Sequence, residues 1–205
     1  MKKLWIAFVL ILINVIPATS QTTVAPGDPA AQQISRFYAA LTDAMKQGRA
    51  LGAQGRYRKL EPVVQQVFDL PTMTRLTVGT AWSTIAPRDQ QALIAAFTRM
   101  TVANYAKNFD TYSGEQFVVD PAVQTKGVDK LVSSKLIGAN KSVTPFVYRM
   151  RQTGGAWKVV DVFLNGYVSE LATRRSDFAS TVASGGAPAL VAKINALADG
   201  LLKQG

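Results

Sequence analysis

The intervals between apolar residues predict helices in the first half of the chain. The first helix begins at Asp28 and Pro29, a capping residue followed by proline in the first turn, and it ends at Gly48. Gly52 and Gly55 predict a flexible connection after it. The apolar face of this helix recurs in steps of three and four and consists of Ile34, Phe37, Tyr38, Leu41 and Met45.

Three more helical segments follow before residue 110. One begins at Glu61, is interrupted by Asp69-Leu70-Pro71, and restarts as a short helix that ends near Gly79. A longer helix runs from Pro87 to about 109, with an acidic residue in its first turn that favours the helix dipole. The predicted buried side of this long helix consists of Leu93, Ile94, Phe97, Met100, Tyr105 and Phe109.

The middle of the chain has the pattern of β strands, and the end is helical again. Strands are predicted at 115–119, 128–137, 143–152 and 157–164, separated by Asp-Pro, Gly-Ala-Asn and Thr-Gly-Gly turn signals. Short connections favour antiparallel pairing. The last strand is apolar at both parities, so it is predicted to be covered on both faces. Helices at 167–178 and 187–203 complete an α+β fold, with a small curled antiparallel sheet of about four strands packed against several helices.

The first twenty residues have the composition of a cleavable export signal. Lys2 and Lys3 precede an apolar run of 13 residues, which is shorter than the roughly 20 needed to span a bilayer as a helix. Small residues then predict cleavage after Ser20, and 21–27 is predicted to be a flexible leader. An uncleaved N-terminal anchor is the alternative interpretation.

Composition argues against catalysis and against a resident cofactor or metal. The chain has no His and no Cys, which removes the commonest general base, the commonest metal ligand and any thiol nucleophile. Its 13 acidic residues form no close pair suited to acid–base or metal chemistry, and no serine lies in a nucleophile motif. We therefore expect no enzyme activity, no catalytic residue, no metal and no cofactor.

The chain is basic, and its basic residues allow two interpretations. The net charge of +10 becomes +8 without Lys2 and Lys3, which suits either anionic membranes and acidic partners or plain solubility. Arg174 and Arg175 allow two interpretations: an arginine at the mouth of a pocket that binds phosphate, or ordinary surface arginines. Arg175 is predicted to lie nearer the buried edge of its helix. Asp161, within an apolar strand, is interpreted as structural. The basic segment that either docks a partner or is simply solvated contains Arg49, Arg56, Arg58 and Lys59.

The order of motifs resembles one family of envelope proteins. A central strand 157–164, the turn Asn165-Gly166, a helix, the pair Gly185-Gly186 and a last helix resemble the C-terminal signature of MlaC proteins, periplasmic phospholipid shuttles of the toluene-tolerance type. The segment 68–105, with Phe-Asp-Leu-Pro, Val-Gly-Thr-Ala-Trp, Phe97 and Tyr105, resembles them too. The amino-acid sequence of 166–178 is similar to that of the hopanoid-associated HpnM branch of the family. The resemblance covers about 30–195, so 28–205 is interpreted as a single MlaC-like domain.

The resemblance implies a periplasmic lipid carrier important for the outer membrane. Lipid tails would lie in a cavity between sheet and helices, with the lipid as cargo. The expected lipid-binding residues are Phe68, Met73, Leu76, Trp82, Phe97, Met100, Tyr105, Val147, Val160, Val162, Leu164, Tyr167 and Leu171. If the opposite face of strand 157–164 points to the cavity, Val159 and Phe163 take the place of Val160, Val162 and Leu164. Without the resemblance, the same apolar residues fit an ordinary filled core.

The implied partners are phospholipid or hopanoid, an inner-membrane component linked to an ABC transporter, and an outer-membrane lipoprotein complex. The protein is expected to be a monomer that binds no nucleic acid. Two other functions remain open from the residues alone. One is a periplasmic adaptor with a filled core, and the other is a basic protein that binds polyanions. The sequence leaves the lipid and the direction of transport open.

Overall fold

The computed structural model describes residues 27–203. The export signal predicted at 1–20 and most of the leader lie outside these residues. The helices are α1 (Pro29–Lys46), α2 (Gly48–Val67), α3 (Leu70–Val78) and α4 (Pro87–Asn108), with a 3₁₀ segment (Gly79–Thr84) between α3 and α4. Asp28 caps α1 as predicted, since its carboxylate accepts a bond from the Ala30 N–H at 2.8 Å. At the predicted interruption, the Asp69 carboxylate accepts a bond from the Thr72 N–H at 3.1 Å and so caps α3.

The junction of α1 and α2 differs from the prediction of a flexible connection. Helix continues on both sides of Gly52, which alone leaves helical geometry within α2, at φ 59°. Gly48 is buried, and the Asp110 carbonyl oxygen lies 1.7 Å from the place that a β-carbon would occupy there. Glycine at this junction therefore allows two segments to approach closely, and the segment is held rather than loose.

The sheet has five strands in chain order, and every neighbouring pair is antiparallel. The strands are β1 (Gln116–Lys126), β2 (Asp129–Ile137), β3 (Val143–Thr153), β4 (Ala156–Leu164) and β5 (Val168–Ser169). The α+β class and the antiparallel pairing are confirmed, and a two-residue strand is added to the four predicted. Asp120-Pro121, interpreted as the end of β1, instead lies in a bulge between Val119 and Val123, after which pairing with β2 resumes.

The start of the C-terminal helical region differs from the sequence prediction. β5 occupies positions assigned to the helix start, and α5 spans Glu170–Lys203. A kink at Gly186, where φ is 69°, divides α5 into two helical segments, as the glycine pair predicted. Tyr167 lies in the turn before β5 and is 78% exposed. A short strand thus replaces the first turn of the predicted helix, because residues 168–169 pair with the end of β4.

The helices cover one face of the sheet and form the core with it. The sheet contributes Val132, Tyr148, Met150, Val159 and Val162 to this core. The opposite face is open near β1 and β3, where Val118 is 40% exposed and Val143 57%. Among the described residues, no helix is both long enough and apolar enough to cross a membrane.

Candidate functional site

A cavity of about 260 Å³ lies between the sheet and the helices. Its lining is dominated by aromatic and aliphatic side chains, and the polar lining residues within 27–203 come from α4 and the start of α5. The apolar lining consists of Tyr38, Phe68, Met73, Phe97, Met100, Tyr105, Phe109, Phe117, Phe146, Tyr148, Val162, Leu164 and Leu171. The polar lining consists of Thr101, Asn104, Asn108, Glu170 and Arg174.

Aromatic rings in mutual contact form much of the cavity wall. Tyr105 is central: its ring centroid lies 5.5 Å from that of Phe68 and 5.8 Å from that of Phe109. Phe109 continues to Phe117 at 5.8 Å, and Phe117 stacks on Tyr38 at 4.3 Å. Such contacts fix ring orientation and add to area burial. The wall is therefore a stiff apolar surface that links α1, α4 and β1.

Two buried tyrosines, Tyr38 and Tyr148, and the partly buried Tyr105 give the wall its phenolic hydroxyl groups. The Tyr38 hydroxyl lies 2.7 Å from Ser134 Oγ and donates to the Tyr148 hydroxyl at 3.0 Å. Burial raises the pKa of Tyr38, Tyr105 and Tyr148 above the ordinary value, since a phenolate would be poorly solvated there. These phenols consequently stay neutral at physiological pH and add no charge to an apolar chamber.

Two charged side chains mark the polar edge of the cavity. Arg174 and Glu170, four residues apart on α5, have side chains 29% and 30% exposed, and Arg174 Nη2 lies 3.9 Å from Glu170 Oε2. Arg174 Nη1 lies 3.8 Å from the sulfur of Met100. One guanidinium thus lies between the apolar chamber and solvent, where it can contact a polar group whose apolar part is inside.

Asp161 holds the start of α5 against β4. One of its oxygens accepts bonds from the N–H groups of Val162 at 2.8 Å and Leu171 at 3.4 Å, and the other accepts from Ser169 Oγ at 2.7 Å. The structural interpretation of Asp161 agrees with these contacts, which involve backbone and serine and no arginine. Asp161 therefore holds in place the first turn of α5, which carries the cavity-lining residues Leu171 and Arg174.

The structure brings together eight of the residues expected to bind lipid. These are Phe68, Met73, Phe97, Met100, Tyr105, Val162, Leu164 and Leu171. The other five, Leu76, Trp82, Val147, Val160 and Tyr167, do not line the cavity. Leu76 is 37% exposed on α3, and Trp82 is half-buried against the core from the 3₁₀ segment. That the eight bind lipid stays a prediction.

Strand register explains why Val147 and Val160 lie elsewhere. Tyr148 faces Val162 and Phe146 faces Leu164 across the β3–β4 pair, so Val147 is on the other side with Phe163. The register shifts between Arg149 and Met150, which leaves Val160 without a cross-strand partner. Because of this bulge, Val159 and Val162 both face the core. The core-facing residues of β4 are therefore neither all odd-numbered nor all even-numbered.

Residues that the sequence analysis left out of the site form the rest of the lining. Tyr38 and Phe109 lie on faces of helices that the periodicity predicts to be buried. Phe117 lies in the first predicted strand, and Phe146 and Tyr148 lie two residues apart on the third, a spacing that indicates one shared face. Arg174 lines the cavity, whereas Arg175 is exposed and lies 3.0 Å from the β-carbon position of Gly79, so their predicted order is reversed. Besides Arg174, which was a candidate for the pocket mouth, the lining residues absent from the expected lipid-binding set are Tyr38, Thr101, Asn104, Asn108, Phe109, Phe117, Phe146, Tyr148 and Glu170.

The basic segment after α1 is divided by its contacts. Arg56 is buried and donates to the carbonyl oxygens of Ala106 at 2.8 Å and Gly48 at 2.9 Å. Lys59 pairs with Asp43 at 2.7 Å, while Arg49 and Arg58 are exposed. Within residues 27–203, no group of three or more acidic, His or Cys side chains is placed to hold a metal ion.

Comparisons with known proteins found a sequence relative, a solved structure of like fold and a family model that matches most of the chain. The chain is 29% identical over 111 residues to the toluene tolerance protein ttg2D of Pseudomonas putida, a match that covers 54% of this chain and 52% of that protein. A solved phospholipid-binding protein from Ralstonia solanacearum, in complex with a phospholipid, shares the fold with a TM-score of 0.74 at 19% identity, over 85% of this chain and 99% of that one. The family model described as MlaC protein matches residues 35–196, and the chain belongs to this family.

Proposed function

We propose that this protein is a periplasmic lipid carrier that binds the apolar part of a phospholipid or hopanoid in the cavity and moves it between inner- and outer-membrane components. The observation that carries the proposal is the chamber itself, an aromatic space with polar groups along one edge. Family membership supports it, as does the solved relative of like fold, which is described as a phospholipid-binding protein in complex with a phospholipid.

The energetics of lipid transfer explain why such a chamber is useful. Exposing one acyl chain of about 15 methylenes to water costs roughly 12 kcal/mol, at ~0.8 kcal/mol per methylene. Spontaneous crossing of an aqueous gap is consequently very slow. A carrier needs only to cover the apolar part and leave the polar group in water. Binding without chemistry suits a chain that contains no His and no Cys.

The polar edge suits the head of the lipid. Arg174 supplies a positive charge near solvent, and Asn104 and Asn108 follow one another along the same face of α4. A guanidinium binds phosphate through paired donors, and amides bond to either phosphate or hydroxyl oxygens. The edge is thus compatible with the head of a phospholipid and with the hydroxyls of a polar hopanoid.

The destination is also part of the proposal. The predicted signal at 1–20 would deliver the protein to the envelope, where the partners would be a component linked to an ABC transporter and an outer-membrane lipoprotein complex. We propose that it acts as a monomer and as a carrier rather than as an enzyme. The whole ttg2D protein is matched only over about half of its length, so these partners rest on the family resemblance.

A matched pair of tryptophan substitutions tests the lipid site. Leu164→Trp adds bulk to the cavity wall, and Leu76→Trp adds the same bulk outside it. We expect natively purified Leu164→Trp to retain less than about half of the wild-type lipid per protein while staying folded, since an unfilled space accepts the ring. Leu76→Trp should keep its lipid. The measurements are mass spectrometry of organic extracts and thermal unfolding of each variant.

The opposite result has a clear meaning. In a solid core the added ring overpacks and costs ~1–3 kcal/mol. A lower melting temperature of Leu164→Trp with unchanged bound lipid would contradict the proposed site. Absence of lipid from the wild-type protein, together with no uptake of phosphatidylglycerol by delipidated protein, would overturn the carrier function and favour an adaptor.

A further inference from the structure

A second hollow adjoins the lipid cavity. It is a groove of about 310 Å³ between α4 and the second half of α5, lined by Leu197, Gly200 and Leu201 and by Met100, Asn104 and Arg174. The last three residues also line the main cavity. The two spaces therefore share a partition made of three side chains.

Arg174 is weakly held in this partition, and Met100, although buried, is a flexible side chain. Arg174 touches Met100 only at 3.8 Å and Glu170 only at 3.9 Å. Ion pairs between residues four apart on a helix contribute about 0.3–0.5 kcal/mol, and methionine adapts to irregular space through three rotatable bonds. The other walls, in contrast, are rings in mutual contact, such as Phe68 with Tyr105 at 5.5 Å. If the cavity extends, this side offers the least resistance.

The groove has the surface chemistry of an apolar ligand site. Leu197 is 42% exposed, and a β-carbon added at Gly200 would meet no atom within 4 Å. A single exposed leucine is ordinary on a protein surface, and Leu197 is informative only because it lies in a hollow that shares three lining residues with the apolar chamber. Arg99 donates to the Asn195 carbonyl at 3.3 Å and to Asp199 at 2.6 Å, which ties α4 to α5 beside the groove.

The volumes of the cavity and the groove indicate which ligand the groove binds. Pockets for drug-sized ligands measure about 300–1,000 Å³, and a lipid with two long tails is larger than such ligands. The main cavity alone, at about 260 Å³, lies just below that range, whereas the two spaces joined lie well inside it. Continuity through the shared residues makes the tail of the bound lipid the occupant that fits.

We infer that the groove is an extension of the lipid site that takes the end of one lipid tail, with Met100 and Arg174 as its movable partition. The inference rests on the proposed function and adds a determinant of specificity. Lipids with two long tails use both spaces, and lipids with a single tail use the main cavity alone. Each methylene left in water weakens binding about fourfold, so the groove discriminates by the amount of tail it covers.

Filling the groove tests the inference. Gly200→Phe places a ring in the open space, and Ala192→Phe places the same ring at an exposed position of α5 that does not line it. The probes are phosphatidylglycerol with two 16-carbon tails and its single-tailed lyso form, added to delipidated protein. We expect Gly200→Phe to bind the two-tailed lipid about tenfold or more weakly and the lyso lipid unchanged, and Ala192→Phe to match the wild type.

Each other outcome separates the two proposals. If Gly200→Phe binds both lipids as the wild type does, or loses both equally, the groove is not the place of a tail end and the inference is overturned. A wild-type protein that binds neither probe and is purified without any bound lipid would instead overturn the proposed function. A second measurement needs no variant: a diazirine near the end of one tail should, on illumination, label a peptide containing residues 196–201. Labelling confined to the main cavity would contradict the inference.

Discussion

Buried tyrosines set the behaviour of this protein at alkaline pH. Burial raises the pKa of Tyr105, so the folded protein holds the phenolic proton more tightly than the unfolded chain does. The stability that the folded state owes to this neutral phenol is complete below the ordinary pKa of 10.0. It is lost as pH rises above that value, because the unfolded chain is then stabilised by ionising its tyrosine. The free energy of unfolding should fall above pH 10 by up to about 1.4 kcal/mol per pH unit for each buried tyrosine.

Tyr105→Phe makes this prediction specific. The variant removes one tyrosine of raised pKa, which is partly buried in the cavity wall, so its free energy of unfolding should decline less steeply above pH 10 than that of the wild type. Tyr167→Phe, at an exposed position, is the control and should keep the wild-type slope. Urea unfolding followed at several pH values between about 8 and 11.5 provides the measurement. Equal slopes in wild type and Tyr105→Phe would refute it.

A buried carboxylate at the start of β2 stabilises the sheet through two arginines of β3. Asp129 is 4% exposed and receives bonds from Arg151 Nε at 2.6 Å and Arg149 Nε at 2.6 Å. Since both arginines are partly exposed, we expect Asp129→Asn to lower the free energy of unfolding by about 1–3 kcal/mol at pH 7. Asp199→Asn, at an exposed ion pair, should change it by less than about 0.5 kcal/mol.

The effect of Asp129 should depend on pH with a definite sign. Its hydrogen bonds from Arg151, with those from Arg149, hold the pKa of the carboxyl below the ordinary 3.8. Its contribution is therefore present above pH 3.8 and is lost as pH falls through the lowered value. Urea unfolding of wild type and Asp129→Asn should differ most at pH 7 and converge in acid. A difference that grows in acid would exclude this account.

Helical periodicity does not decide which of Arg174 and Arg175 lies at the cavity. Arg174 lies three residues after Leu171 and four before Phe178, and Arg175 lies four after and three before, so both flank the buried side of α5 about equally. The neighbours decide between them. Arg174 meets α4 at Met100, and the guanidinium of Arg175 lies beside Gly79, 3.0 Å from the place that a β-carbon would occupy there. Helical periodicity contains no information about which neighbour lies on which side.

At the scale of the element, glycines on α5 have opposite roles. Gly186 has φ 69°, a conformation that strains residues with a β-carbon, so Gly186→Ala should cost about 1 kcal/mol or more. Gly200 lies in regular helix with open space around it, so Gly200→Ala should stabilise by about 0.5–1 kcal/mol. Thermal unfolding of both variants provides the test. Shifts of the melting temperature in the same direction would contradict the assigned roles.

Strand ends were harder to predict than strands. Asp120-Pro121 has the composition of a turn, yet β1 continues through it, because an edge strand tolerates a residue without an N–H and a bulge absorbs the irregularity. The helix start at 167 was wrong for a related reason, since Val168 and Ser169 pair with β4. Pairing between distant segments overrides local preference in both places, and a single sequence does not display that pairing.

At the scale of the whole molecule, periodicity predicted the layers but not the void between them. Steps of 3.6 and 2 residues give the order of helices and strands, and short connections give an antiparallel sheet. The cavity is lined by the same residue types that fill a core: Phe37 is buried in the core, while Phe97 lines the chamber. Whether apolar surfaces meet or leave space depends on how elements are spaced, and here family resemblance supplied the expectation of a cavity.

The last prediction concerns delivery of the whole protein. If 1–20 is a cleaved export signal, the periplasmic protein should begin at Gln21 and carry lipid, because cargo is available to it only in the envelope. Replacing Leu10 with Arg puts a charge into the apolar run and should leave the precursor uncleaved in the cytoplasm, while Thr23→Arg, beyond the cleavage site, should be exported normally. N-terminal sequencing and lipid analysis of each fraction are the measurements. Intact Met1 in the membrane fraction of the wild type would replace a free carrier with an anchored one, since the chain would then stay at the membrane that received it.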